Sequence, residues 1–454
     1  MPRSFWVETL GCPKNQVDSD KLTGAMLTDG MIVADSAEDA DLVVVNTCAF
    51  IEEAREESVA TILALDETRS GQSRLVVTGC MAERYGDELA AALPEVDQVV
   101  GFGAPGAVGR AGAVDTRGAA GVPVTIGSKP TQGKAQSDTA AMPAMDLLNM
   151  ARPASLLPWA YVKVAEGCDK SCGFCAIPSF RGPQRSRSVE SILDEVDQLD
   201  VNEIVLIAQD LAAYGRDQGV GQKSIVKLVE AVAERADWVR LLYLYPSELT
   251  DDLIGLMGRG PVPYFDLSLQ HVSAPLVRRM RRWGNGEKYL ERIERIRQMR
   301  PDATFRSNFI VGYPGETEAD HDELLEFVEA AQLDWCGFFS YSQEAGTYAA
   351  DLDGQVDPAL MADRLAELRE MQDEITARRR DELIGTRTRV LVDSPGVARS
   401  HREAPEIDGI INVPTDLRVG QFHEVLITGA EGPDLFAEAL VSGSGDSRES
   451  SGGD

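Results

Sequence analysis

Trp159-Ala160-Tyr161-Val162-Lys163-Val164-Ala165 runs almost directly into Cys168-Asp169-Lys170-Ser171-Cys172-Gly173-Phe174-Cys175. The apolar run, bounded by proline and glycine, reads as a buried β-strand. The cysteines then sit on the loop at its C-terminal end, where α/β folds build their sites. Their spacing is C-x3-C-x2-C. Such a compact run of thiolates suits soft iron, each sulfur reaching one corner of an iron–sulfur cluster. A [4Fe–4S] cluster usually takes four cysteines, so a run of three leaves one iron open to a non-protein ligand. A disulfide framework fits poorly with a long chain, seven cysteines and no secretory leader. Zinc would want paired C-x2-C or nearby histidines, and neither is present. Unrelated buried cysteines are the remaining alternative, against which the density of the run speaks.

Upstream, residues 4–103 alternate short apolar runs with helical patterns. Phe5-Trp6-Val7, Leu42-Val43-Val44-Val45 and Leu75-Val76-Val77 read as strands, with helices over 15–29, 51–66 and 83–93. This alternation predicts a parallel sheet with helices on its faces. A cysteine follows each strand, in Leu10-Gly11-Cys12, Asn46-Thr47-Cys48 and Thr78-Gly79-Cys80. Strands of a parallel sheet end on one edge, so Cys12, Cys48 and Cys80 are predicted to meet there, with Gly11 and Gly79 allowing tight turns. A second iron–sulfur cluster with an open iron is the expectation; three small core cysteines are the alternative.

Downstream, residues 158–383 carry six strand-then-helix units, with strands at 160–165, 203–208, 239–244, 264–269, 304–311 and 335–341. Six units suggest an open (β/α)6 partial barrel. Polar residues gather after its strands: Gln209, Asp210, Tyr245, Gln270, His271 and the segment 312–316. In barrels this end is the catalytic face. Arg278, Arg279, Arg281 and Arg282 form a basic cluster that would suit a carboxylate, or equally a solvated helix surface. Arg181, Arg185 and Arg187 carry the same pair of readings. Cys336 stands alone on a strand and reads as a core thiol. Between the two α/β regions, 104–157 is rich in Gly, Ala, Pro, Ser and Thr and reads as a linker. Residues 384–442 switch to short strands, predicting a small antiparallel β-barrel. The Gly/Ser/Asp/Glu tail, 443–454, reads as disordered.

At 454 residues about three domains are expected. The formal charge of −30 argues against general nucleic-acid binding and favours a basic partner. No apolar run is long enough for a membrane span. Met1-Pro2-Arg3-Ser4-Phe5-Trp6 lacks the core of a secretory signal, so a reducing cytoplasm is the expected setting.

C-x3-C-x2-C with an aromatic, Phe174, before the last cysteine resembles the radical S-adenosylmethionine (SAM) enzymes. Gly11-Cys12-Pro13-Lys14-Asn15, Asn46-Thr47-Cys48-Ala49-Phe50 and Thr78-Gly79-Cys80 resemble the N-terminal domain of their methylthiotransferase branch. The C-terminal module resembles the TRAM domain, OB-like and RNA-binding in related enzymes. Here its arginines are outnumbered by acids. Ile207-Ala208-Gln209-Asp210, Leu242-Tyr243-Leu244-Tyr245-Pro246 and Ala404-Pro405-Glu406-Ile407-Asp408-Gly409 resemble the branch acting on small-subunit ribosomal protein twelve.

The resemblance implies two [4Fe–4S] clusters, held by Cys168, Cys172 and Cys175 and by Cys12, Cys48 and Cys80, with SAM as cofactor. Ile310-Val311-Gly312-Tyr313-Pro314-Gly315-Glu316 resembles the segment beside the adenosyl group, which puts Gly312 and Glu316 near SAM. One SAM methylates a sulfur; a second yields a radical that opens the β-carbon of an aspartate to the methylthio group. Implied partners are ribosomal protein twelve, free or in the ribosome, a flavodoxin- or ferredoxin-like electron donor and a sulfur donor. Methylthiolation of a tRNA adenosine, and a non-catalytic iron–sulfur carrier, are the alternatives.

Overall fold

The computed structural model describes residues 3–101, 147–219, 224–259 and 261–440. Most of the expected linker and the whole of the expected disordered tail lie outside the described residues. The chain divides into two compact units, Met1–Gln372 and Asp373–Asp454.

The first unit opens with a five-stranded parallel sheet. Its strands are β1 (Ser4–Thr9), β2 (Ile32–Val33), β3 (Leu42–Thr47), β4 (Arg74–Gly79) and β5 (Gln98–Val99), ordered β2-β1-β3-β4-β5. The short outer strands β2 and β5 lack the apolar runs by which the other three are legible. Val43, Val44 and Val45 are completely buried because helices cover both faces of β3. Those helices are α1 (Pro13–Thr28), α2 (Glu52–Thr68) and α3 (Cys80–Ala92). Leu147, from the end of the linker region, packs into the core beneath α1 and the sheet.

Six further parallel strands follow: β6 (Trp159–Lys163), then, beyond the short pair β7 (Ala165–Glu166) and β8 (Arg185–Ser186), β9 (Glu203–Ile207), β10 (Trp238–Leu241), β11 (Tyr264–Gln270), β12 (Thr304–Val311) and β13 (Trp335–Ser340). They pair as β10-β9-β6 and β11-β12-β13, joined by single bridges at Val239↔Pro261 and Leu244↔Leu267. Among the described residues no pairing joins β13 back to β6, so the barrel is open. Outer helices are α4 (Ile177–Arg181), α5 (Val189–Leu199), α6 (Ser224–Ala233), α7 (Asp251–Leu256), α8 (Ala274–Arg279), α9 (Gly286–Met299) and α10 (Glu318–Ala331). Ser188, Thr250, Asn285 and Thr317 cap α5, α7, α9 and α10 by accepting from backbone N–H groups. Along β12, Phe305 and Phe309 are buried, and Phe309 meets Phe327 of α10. Arg306, Asn308 and Ile310 alternate with them on the other face and are only half-buried. That face lines the hollow of the open barrel.

Helix α11 (Pro358–Asp381) leads into the second unit. There β14 (Arg387–Ser394), β15 (Val397–Arg399), β16 (Ile411–Asn412), β17 (Phe422–Glu431) and β18 (Asp434–Ala439) close a barrel in the order β14-β15-β16-β18-β17. One pair, β16 with β18, is parallel. Residue alternation sets which side chains face the core, not strand direction, and the crossover that aligns these two is a tertiary feature. Val390, Val392, Ile411, Val425, Ile427 and Leu435 fill the interior. Arg399 is buried and paired with Asp393.

Candidate functional site

β1, β3 and β4 are adjacent in the sheet, and each ends beside a cysteine. Cys12 is the N-cap of α1, and Cys80 is the first residue of α3. Gly11 adopts φ +94°, and a Cβ there would stand 2.9 Å from Cys48 Sγ. Gly79 adopts φ +96°, and a Cβ would fall 2.3 Å from Asn46 Oδ1 and 2.5 Å from Thr47 N. Asn15 Nδ2 donates to Leu10 O at 2.9 Å and to Thr47 O at 3.0 Å, tying two of the strand ends together. Burial pushes the Cys48 thiol up to about 12, and Cys12 beside it adds to the rise. The Cys80 thiol is raised by burial as well, although Arg181 works against it.

The second trio lies on the loop between β7 and β8, whose antiparallel pairing pins the loop at its base. Cys168 N donates to Gly182 O at 3.1 Å, and Gly173 N to Met280 O at 2.8 Å. Lys170 N donates to Cys168 Sγ at 3.4 Å, and Arg282 Nη1 to Cys172 Sγ at 3.2 Å. Burial pushes the Cys168 thiol up to about 11 and the Cys175 thiol up to about 12. Among the described residues, no three His, Cys, Asp or Glu side chains converge tightly enough for a single metal ion.

Arg181 ties Cys80 of the first trio to Glu166, just upstream of the second. It closes α4, the short helix just after Cys175, and is buried. Its Nη2 donates to Cys80 Sγ at 3.0 Å and to Asn15 Oδ1 at 2.8 Å. Its Nη1 donates to Asp18 at 2.9 Å and to Glu166 at 3.1 Å. Lys163 completes the network, bonding Glu166 at 2.5 Å and also Asp18. Burial alone would raise the Glu166 carboxyl; Arg181 and Lys163 outweigh it and hold it below the usual carboxylate range. A second buried set, Arg55 and Arg84 on Glu344 at 2.8 and 2.5 Å, joins α2 and α3 to the loop after β13.

Of the four clustered arginines only Arg282 reaches a cysteine. Arg279 bonds Asp353 O at 3.0 Å, and Arg281 lies 3.8 Å over the Tyr348 ring. Gln209 donates to Glu166 at 2.5 Å, and Asp210 faces Lys170 at 3.6 Å. Both Glu316 oxygens are engaged, one by Gly312 N at 2.6 Å and the other by Arg364 at 2.8 Å. His271 is buried, its Nδ1 accepting from Ser273 N at 3.1 Å. Burial lowers its pKa to about 4. Two features escape sequence reasoning. Lys14 is buried, with its ammonium 3.4 Å from the centre of the Tyr243 ring. Tyr243 itself adopts φ +64°, strained for a non-glycine residue. Lys14 lies within a quoted motif, yet nothing in that motif says what the side chain meets.

No helix among the described residues is long and apolar enough to cross a membrane. Residues 4–101 match the uncharacterized protein family UPF0004, 162–328 the radical SAM superfamily and 384–440 the TRAM domain. The ribosomal protein uS12 methylthiotransferase RimO of Cutibacterium acnes is 39% identical over 465 residues, covering 94% of this chain and 96% of that protein. RimO of Moorella thermoacetica is 41% identical over 420 residues, covering 90% and 93%. Among solved structures, the radical SAM methyltransferase TsrM of Kitasatospora setae is similar at TM-score 0.46 and 14% identity, over 74% of this chain and 72% of that one. Identity of this order along the whole length, through all three matched regions, shows that the chain belongs to the RimO family of ribosomal protein uS12 methylthiotransferases.

Proposed function

We propose that this protein methylthiolates the β-carbon of one aspartate of uS12, and that it does so with two [4Fe–4S] clusters. Its family gives the reaction: methylthiolation of uS12 by radical SAM chemistry. The two-cluster arrangement rests chiefly on one observation: Arg181, six residues past Cys175, donates to Cys80 Sγ at 3.0 Å. The buried network that holds Cys80 thereby includes Glu166, two residues before Cys168.

The residues suit such clusters. Thiols raised by burial are poor anions alone, and iron supplies the positive charge that stabilises them as thiolates. A four-iron cubane is wider than one ion, so its thiolates stand apart, in keeping with the lack of a tight single-ion site. N–H donors aimed at Cys80, Cys168 and Cys172 are the contacts that tune cluster potentials. On this reading Cys12, Cys48 and Cys80 hold one cluster and Cys168, Cys172 and Cys175 the other.

When bound, clusters and SAM supply the one-electron chemistry that opens an unactivated C–H bond, which no general base could do. The protein positions the groups and keeps water out. Pairing of β7 with β8 holds the cysteine loop, and Arg282 grips it from the far side of the barrel. Glu316, locked by Gly312 and Arg364, fixes the loop assigned to the SAM vicinity. The half-exposed face of β12 offers the hollow in which a substrate loop would lie. A basic ribosomal protein suits the charge of −30 and the exposed acids Glu406, Asp416, Glu424, Glu431 and Glu438 of the C-terminal barrel. A cytoplasmic setting, a flavodoxin- or ferredoxin-like electron donor and a separate sulfur donor complete the reading.

Mass spectrometry of uS12 and of tRNA from a strain lacking the gene tests it. The methylthio group should vanish from a single uS12 aspartate while tRNA is unchanged; loss of the tRNA mark alone would contradict the assignment.

A further inference from the structure

Lys14 is 9% exposed, deep enough that an ammonium needs a partner. Among the described residues no carboxylate is paired with it. Its neighbours are Tyr243, whose ring centre lies 3.4 Å away and whose side chain also hydrogen-bonds it, Cys12, two residues away, and the like charge of Arg181. The other cations of this region are matched: the buried Lys163 with Asp18 and Glu166, the buried Arg181 with the same two, and the half-buried Arg306 with Asp266 at 3.4 Å. A face of aromatic π-density offers a cation part of what water would, but not a counter-charge.

The platform under Lys14 is held at a cost. Tyr243 follows β10 at the C-terminal edge of the barrel with φ +64°, a backbone strain that surrounding structure must support. Asp266 supplies the support, accepting from Tyr243 N at 2.8 Å while bound to Arg306. Arg306 belongs to the half-exposed face of β12 that lines the barrel hollow. An ammonium with no carboxylate partner among the described residues therefore sits between the N-terminal sheet edge and the barrel mouth, beside one cysteine trio.

We infer that Lys14 binds the side-chain carboxylate of the substrate aspartate, holding the adjacent β-carbon next to the Cys12, Cys48 and Cys80 site. The inference rests on the proposed function, which makes an aspartate the substrate. It adds a reason for aspartate over its neutral isostere. An asparagine in the same place would leave the ammonium unneutralised. The carboxylate of SAM is the other source of this ligand chemistry. Lys14 lies by Cys12, on the trio away from the loop assigned to SAM, and this favours the substrate.

The test uses reconstituted enzyme and purified uS12, with the modified aspartate either intact or replaced by asparagine. Binding is followed by titration calorimetry, without reductant so that no turnover occurs. A hydrogen bond to a charged group makes the expected preference of the wild type for aspartate roughly 10–100-fold. Lys14→Met should abolish that preference by weakening the aspartate form alone. Lys14→Arg should retain a clear part of it. SAM affinity and iron content should match the wild type in both variants. Equal wild-type affinity for the two forms of uS12 overturns the inference without any variant having to fold. So does an unchanged preference in Lys14→Met, or a loss there of SAM binding or iron. Should the wild type leave uS12 unmodified when reductant is added, the proposed function itself fails, and the inference falls with it.

Discussion

Arg181 shows what a single residue does here. It satisfies two buried carboxylates, an amide oxygen and a cysteine sulfur at once. Removing it leaves Asp18 and Glu166 with Lys163 as their only cation among the described residues. Breaking a buried ion pair by removing one partner costs about 3–5 kcal/mol. Arg181→Ala is therefore expected to lower unfolding stability by about that amount, measured by urea denaturation of the metal-free protein; a change under about 1 kcal/mol would mean that the network is not holding the first unit together. Arg181→Lys keeps the charge but not the planar fork, and is expected to fall between the two. The sequence shows Arg181 only as one of three arginines downstream of a cysteine run. Its partners come from residues 15, 18, 80 and 166, and only folding brings these together. The six cysteines proposed as iron ligands, in contrast, are singled out by spacing and by their place after strands. The motif around Cys12 gives Lys14 no role, because its surroundings are set by the fold rather than by its neighbours in sequence.

At the scale of elements, strand-to-helix turns carry the design. β4 enters α3 through Gly79 at φ +96°, where a Cβ would strike Asn46 and the backbone of Thr47. Left-handed backbone costs a non-glycine residue roughly 1–2 kcal/mol before the clash is counted. Gly79→Ala is expected to lower the Tm by several degrees and to reduce iron retained by the Cys12, Cys48 and Cys80 site; an unaltered Tm would contradict this. In the second unit, Glu403 is buried, paired with Arg380 and accepting from Ser400 N at 2.8 Å and Ser400 Oγ at 2.6 Å. Burial raises its pKa, but Arg380 and Ser400 outweigh that and bring it from 4.5 to about 2. The folded value lies below the unfolded one. Its contribution is thus present above pH 4.5 and is lost as pH falls toward 2. Glu403→Gln should be less stable than the wild type by about 3–5 kcal/mol at neutral pH, with the gap closing across that acid window in thermal scans. A gap independent of pH would contradict the pairing. Long elements with a clear period are legible: the strand expected at 304–311 matches residue for residue. The two-residue strands, α4 and α8 are not, since elements of a few residues carry no period to read.

For the whole molecule, the order of parallel sheet, open barrel and small closed barrel follows from how the hydrophobic period changes along the chain, from β/α alternation to short strands alone. Composition shows the acidity but not its placement; Glu403 turns inward while Glu424, Glu431 and Glu438 stay exposed. What periodicity could not supply is the buried charge that joins the N-terminal sheet to the barrel, through Arg181 on one side and Glu344 on the other. That joint matters because the proposed chemistry needs two clusters close enough for one substrate carbon to serve both. The most direct test is iron and sulfide content with EPR and Mössbauer spectroscopy on protein reconstituted without oxygen. The expected result is about eight irons per chain, falling to about four when Cys12, Cys48 and Cys80 are all alanine, with SAM cleavage surviving. A wild-type protein that holds only one four-iron cluster, or a triple variant that keeps both, would contradict the account.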